Sequence, residues 1–225
     1  MDPLTHTLVG ANLAATRLGK SSRFAVAALV IGANAPDLDA ILYFTNHDDL
    51  ALGFRRGWTH GVLALAVLPF IQTALLLLWD RLRPDPSQRA SPRVLLLLSA
   101  LATLTHPTLD WLNNYGMRWL MPFDGRWFYG DAVYIMDPLL WTILGAGWLA
   151  TRRPTVLLFT GWAVVMALLA RIAGGRSTDY LIVVAIVAGI LLVALLWRLD
   201  DRWKHALATT ALVVAMLYIG ARIAI

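Results

Sequence analysis

The chain contains no cysteine and no glutamate, and lysine is nearly absent beside arginine. The missing cysteine excludes disulfides, thiolate metal sites and cysteine nucleophiles. Without glutamate, all carboxylate chemistry falls to 14 aspartates. Charge of either sign is scarce: 15% of the 225 residues are charged and 59% are hydrophobic, with a mean hydropathy of +0.64. A soluble domain is far more polar. The N-terminus has no charged n-region before an apolar core, so no cleavable signal peptide is expected. The net charge of +5 sits mostly on arginines beside apolar runs, which suits membrane topology and anionic lipid headgroups rather than nucleic acid.

What is present is a series of apolar runs, most of them long enough to cross a bilayer. Leu4–Leu18 reads as a short helix started by Asp2 and Pro3, and a second run extends from about Phe24 to Phe44. Further runs are Trp58–Trp79, Val94–Asn113, Ala132–Ala150, Pro154–Ile172, Tyr180–Trp197 and Ala206–Ile225. Trp58, Trp79, Tyr180, Trp197 and Trp203 stand at run ends, where interfacial aromatics belong. The expectation is an all-α, polytopic transmembrane bundle of about 7–8 helices, a single integral membrane domain over residues 1–225. Residues 1–150 carry four of the five histidines and form the site-bearing half. Residues 151–225 read as scaffold, with small residues for close packing.

One stretch breaks the apolar rule. Asn34-Ala35-Pro36-Asp37-Leu38-Asp39 lies inside the second run. Ionisable side chains at membrane depth are costly unless paired or bound to a cation. Pro36 lacks an amide proton and disfavours helical geometry at Ala35, so the helix is expected to break there. Broken backbone at that depth is tolerated where it lines a buried or watery cavity. The stretch therefore reads as part of a site, against the plainer reading of a kink capped by Asp37.

Other polar residues reach the same height. His6 and Asp37 lie at similar distances from the Gly19–Ser22 turn, so an antiparallel hairpin sets them level. His60 opens the third helix, after Arg55-Arg56-Gly57-Trp58-Thr59. His106 and Asp110 are four apart on the fourth helix, which stacks them on one face with a spacing suited to two ligands of one metal. Asp137, before Pro138, opens the next helix from the same side and reads first as a helix cap, second as a ligand. Asp37 and Asp39 would diverge on an intact helix, so one can ligate while the other orients a histidine, or the break turns both inward. Singly, His6 and the His106–Asp110 pair also suit ordinary buried hydrogen bonds. His47, Asp48 and Asp49 read as a solvated loop, and His205 as surface.

The combination resembles the YdjM-like family of inner-membrane metal-dependent hydrolases. The matching pieces are Thr5-His6-Thr7 with Gly10, Pro36-Asp37-Leu38-Asp39, Arg55-Arg56-Gly57-Trp58-Thr59-His60, and His106 and Asp110 followed by Tyr115-Gly116. Gly130-Asp131 and Asp137-Pro138-Leu139-Leu140 fit as well, so the resemblance covers roughly residues 1–150. That family in turn resembles the all-helical zinc-dependent phospholipase C and single-strand nuclease superfamily. The similarity implies His6, Asp37, His60, His106 and Asp110 as metal ligands, with Asp110 bridging two ions. No histidine pair follows Asp110 here, so the resemblance carries no third metal, and Asp137 is the nearest substitute ligand.

Mixed imidazole and carboxylate ligands suit one or two divalent transition ions, Zn²⁺ first, then Mn²⁺ or Fe²⁺, rather than Ca²⁺. Such a site activates water at neutral pH and clamps phosphoryl oxygens. Arg55 and Arg56 are the candidates for bidentate phosphate contacts, and Asp39 for a supporting catalytic carboxylate. The expected activity is hydrolysis of a phosphate ester or diester on a lipid or lipid-linked molecule; ester or amide hydrolysis stays open. The alternative from another class is a divalent-metal or proton transporter using the same residues. A metal-stabilised scaffold leaves the arginines unexplained, and no Pro-Ser-Gly-His segment supports a histidine-nucleophile phosphatase. Flanking Lys and Arg divide twelve to seven between the two faces, which places the site on the outer side of a cytoplasmic membrane.

Overall fold

Asp2 and Pro3 start the first helix as their chemistry requires. The Asp2 carboxylate accepts the Thr5 amide (3.1 Å) and hydroxyl (2.6 Å), and Pro3 occupies the first turn, where a missing amide proton costs nothing. This is α1, Pro3–Ala15, followed by a 3₁₀ turn over Arg17–Lys20 and by α2, Ala25–Gly32. The computed structural model describes residues 1–44, 53–151 and 201–223, with the isolated residues 161 and 164. The expected polar loop of His47, Asp48 and Asp49 lies outside these residues, as do the expected helices Pro154–Ile172 and Tyr180–Trp197 apart from those two positions.

The chain breaks where Pro36 predicts. Beyond α2 it continues as a 3₁₀ segment, Ala35–Phe44, bent by 47° from α2. Asn34 finishes the first half, its side-chain amide donating to Val30 O at 2.9 Å. Then follow α3 (Val62–Leu82), α4 (Pro92–Leu112), α5 (Pro138–Thr151) and α6 (Asp201–Ile223). Among the described residues α3, α4 and the His205–Ile223 part of α6 are long and apolar enough to cross a membrane, and the bent pair counts as a fourth span. On α3 only Ala64, Pro69, Gln72 and Thr73 are buried, and Phe70, Leu75 and Leu82 are exposed. A helix with so apolar an outer face belongs against lipid.

Two helices start later than their apolar runs. α3 was expected from Trp58 and begins at Val62, because residues 55–60 form turns, with Arg56 at a φ of 49°. α5 was expected from Ala132 and begins at Pro138, where Asp137 caps it through the Leu139 and Leu140 amides at 3.0 and 3.1 Å. Residues 113–137 are instead an irregular crossing held by two isolated bridges, Asn113 with Val133 and Met117 with Phe128.

Small residues let the site-bearing helices approach one another. Ala25, Ala28, Leu29 and Ala33 pack on Leu95, Leu98 and Ala102 of α4. At Gly32 a β-carbon would lie 2.9 Å from the Ala102 side chain, so glycine is what allows α2 and α4 to touch. A second cluster joins Leu8 and Val9 of α1 to Leu140, Ile143 and Leu144 of α5 and to Ala211 and Ala215 of α6. α1 is thereby clamped between both halves of the bundle.

Candidate metal centre

His6, Asp37, His60, His106 and Asp110 come from four places in the chain and meet at one end of the bundle. α1 supplies His6 near its start, and the 3₁₀ segment supplies Asp37. The turn before α3 supplies His60, and the last turns of α4 supply His106 and Asp110. The three imidazoles and Asp110 are fully buried, and the Asp37 side chain is 18% exposed. Ligand atoms of His6, Asp37 and His106, and again of His60, His106 and Asp110, lie within 4.8 Å of one another. The two groups share His106 and overlap in one cluster.

The contacts inside the cluster prepare imidazole nitrogens for a cation. His106 Nδ1 donates to Ala33 O at 2.7 Å, which leaves Nε2 as the lone-pair nitrogen facing inward. That nitrogen lies 3.1 Å from His60 Nε2, 3.6 Å from Asp37 Oδ1 and 3.7 Å from Asp110 Oδ2. The rings of His6 and His106 are stacked at 3.6 Å. Neither His6 nitrogen has a hydrogen-bond partner, and Asp110 Oδ2 has an ion-pair contact with Arg56 in place of one. Buried orphans of this kind are costly in a finished protein, and a bound cation satisfies them. The Asp110 carboxylate is divided, Oδ1 facing His6 at 3.4 Å and Oδ2 facing His60 at 3.4 Å. His60 Nδ1 meets the Thr59 hydroxyl at 2.9 Å and Asp39 Oδ2 at 3.6 Å, so Asp39 stands behind His60. Burial, then the neighbouring His106 and Arg56, holds the His60 imidazole well below its ordinary pKa, in the neutral form that ligates.

The two arginines occupy different positions. Arg56 is 2% exposed, and its Nε lies 3.2 Å from Asp110 Oδ2. Its Nη1 donates to Asn113 Oδ1 and Gly116 O at 3.1 Å each, and Tyr115 covers the guanidinium at 4.5 Å. Burial and the adjacent Arg55 push its pKa down to about 10, so it remains a cation at neutral pH. Arg56 is thus a wall of the cluster. Arg55 is half-buried at the rim, 5.9 Å from the Tyr115 ring. Asp137 stands outside both groups: its Oδ1 caps α5 and its Oδ2 accepts the Tyr218 hydroxyl at 3.0 Å.

Two neighbours, Asn113 and the Met1 amino group, escaped the sequence reading, while Tyr115 and Gly116 carried only the family resemblance. Asn113 is fully buried; its Oδ1 accepts from Arg56 and from the Tyr115 amide (2.7 Å), and its Nδ2 donates to Asp110 Oδ1 at 3.4 Å. Tyr115 roofs the arginines, and Gly116 (φ 75°) passes beneath the Tyr129 ring, which a β-carbon would meet at 2.5 Å. The Met1 amino group pairs with Asp110 Oδ1. Asn113 lies one helical turn beyond Asp110, and that spacing was the available signal.

An all-helical membrane protein with a buried His/Asp cluster at one end of its bundle is the class that fold and site define. The chain belongs to the YdjM inner membrane protein family, which matches residues 1–178. It is also similar to the uncharacterized protein YfhP of Bacillus subtilis, 27% identical over 148 residues that cover 62% of this chain and 43% of that protein. The chain therefore spans less than half the length of that relative. No solved structure matches.

Proposed function

We propose that this protein is a metal-dependent hydrolase of an inner membrane, crossing it several times and acting on a phosphate ester of a lipid or lipid-linked molecule. The observation that supports this most is the gathering of His6, whose ring nitrogens have no hydrogen-bond partner, with Asp37, His60, His106 and Asp110 inside one buried cluster. Imidazole with carboxylate suits Zn²⁺, with Mn²⁺ and Fe²⁺ next. A bound ion of this kind lowers the pKa of water and polarises a phosphoryl oxygen. The chain's own residues do the rest. The Thr59 hydroxyl orients His60, Asp39 behind it accepts the Arg56 amide, Arg56 holds Asp110, and Arg55 is the planar fork we assign to a phosphate that approaches from the headgroup layer. The excess of Lys and Arg at the opposite end supports a site on the outer side.

A transporter of divalent ions is the second reading, and one observation favours it. The buried line on α4 does not end at His106 but continues through Thr103 and Ser99 toward Gln72 and Thr73 of α3, all within 7% exposure. Thr103 Oγ1 and Gln72 Oε1 lack partners. That line is neutral, and among the described residues it carries no carboxylate or imidazole beyond His106.

Reconstitution in liposomes separates the two. The protein loaded with Zn²⁺ or Mn²⁺ is assayed on a panel of phospholipid and lipid-linked phosphoesters beside a metal-flux measurement. Hydrolysis that disappears in His106→Ala supports the enzyme. Flux without hydrolysis defeats it.

A further inference from the structure

The bundle end opposite the His/Asp cluster holds a second built feature. The Arg17–Lys20 turn and the chain leading into α2 face the connection between α3 and α4. Between them lies a cavity of ≈ 500 Å³ lined by Gly19, Lys20, Ser22, Arg23, Gln88 and Arg89. It lies at the start of α4, fourteen residues before His106, or about 21 Å at 1.5 Å per residue. It is therefore separate from the cluster.

The cavity is held open by fixed ties rather than by chance side-chain positions. Ser22 Oγ accepts the Ser91 amide at 2.9 Å, joining the two rims. Arg23 Nη1 meets Asp80 Oδ1 at 2.6 Å and its Nη2 donates to Arg83 O at 2.6 Å, joining them again. Those bonds neutralise Arg23. Asp85, the nearest other carboxylate of that connection, is occupied by the Ser87 amide and hydroxyl at 2.9 and 2.7 Å. No carboxylate lines the cavity among the described residues, so Lys20 and Arg89 give it two uncompensated cations, with Ser22 and Gln88 as hydrogen-bonding neighbours. The last turn of α3 beside it exposes Trp79 (55%) and Leu82 (65%), an apolar flank at the level where acyl chains begin.

We infer that this cavity is a binding site for a phosphate group, supplied by an anionic phospholipid whose acyl chains lie along the end of α3. Basic recesses between helices at a membrane surface bind headgroups in this way, and Lys and Arg both serve as phosphate partners. The same chemistry accepts free phosphate, and the apolar flank is what favours the lipid.

The test uses the full chain in a neutral detergent, with native mass spectrometry of bound phosphatidylglycerol, phosphatidylcholine of the same acyl composition, and inorganic phosphate as competitor. The expected result is one saturable phosphatidylglycerol site that phosphatidylcholine does not fill. Lys20→Gln with Arg89→Gln weakens it about thirtyfold, from roughly 1 kcal/mol per cation at a membrane surface. Lys20→Arg with Arg89→Lys keeps the affinity within about threefold, because the site reads charge. Arg17→Gln with Arg93→Gln removes the same charge from exposed positions outside the cavity and leaves binding unchanged. Millimolar inorganic phosphate that binds alone and displaces the lipid assigns the site to free phosphate. Failure to displace assigns it to the lipid. Equal loss in the two glutamine pairs, or equal filling by phosphatidylcholine, overturns the site.

Discussion

Arg56 Nε lies 3.2 Å from Asp110 Oδ2, and its Nη1 is shared by Asn113 and Gly116, so truncating it strands a buried carboxylate and two acceptors. Arg56→Ala is expected to cost about 3–5 kcal/mol, the usual penalty for breaking a buried ion pair, and to lower metal occupancy with it. Thermal unfolding in detergent beside elemental analysis reads both. Arg55→Ala has the opposite profile: metal content and fold are retained, and turnover of phosphoesters falls about ten- to a hundredfold, from the roughly 1.5–3 kcal/mol of one charge-assisted contact. If both variants lose metal alike, the division of labour between the neighbours is wrong. Asp137→Ala supplies a third contrast. Losing the α5 cap and the Tyr218 bond is expected to cost about 1–2 kcal/mol with metal occupancy unchanged, because neither bond reaches the cluster.

At the scale of elements, the cluster depends on how closely α2 approaches α4. Gly32→Val puts atoms where the Ala102 side chain already lies, pushing the Asp37 segment away from His106. Overpacking of this kind costs about 1–3 kcal/mol, and metal occupancy should drop although no ligand has changed. Occupancy equal to wild type means the spacing is set elsewhere. The heights of His6 and Asp37 could be read from the sequence because two helices joined by a short turn have little freedom in register. His106 and Asp110 could be read because four residues make about one helical turn. Residues 113–137 could not. Their path is set by contacts across long stretches of chain: Arg118 Nη2 to Gly53 O and Arg55 O at 2.6 and 2.7 Å, and the Val62 amide to Trp119 O at 2.9 Å. No local periodicity records such bonds. The same crossing buries Arg56 against Asn113 and Gly116, contacts that its place beside Arg55 in the sequence does not record.

For the whole molecule, the absence of native cysteine makes orientation directly measurable. Asp85 lies in the connection between α3 and α4, and Gly125, with open space around it, lies in the crossing above the cluster. With the cluster facing outward, Gly125→Cys is labelled by an impermeant thiol reagent in cells whose outer barrier has been permeabilised, and Asp85→Cys is not. The reverse pattern turns the protein over in the membrane and moves the proposed reaction to the other leaflet.

Of the five clustered residues, four are fully buried and Asp37 alone reaches solvent, at 18%. Among the described residues, the segment Ala35–Phe44 therefore holds the one cluster carboxylate that an ion can touch from solvent. Affinity and exchange are then set by different groups. The buried imidazoles govern how tightly a cation is held at equilibrium, while the short stretch after Pro36 governs how fast it trades with a chelator. Asp37→Asn should change the stripping time far more than its share of the binding energy, so the protein would age, in effect, by how seldom that doorstep is crossed.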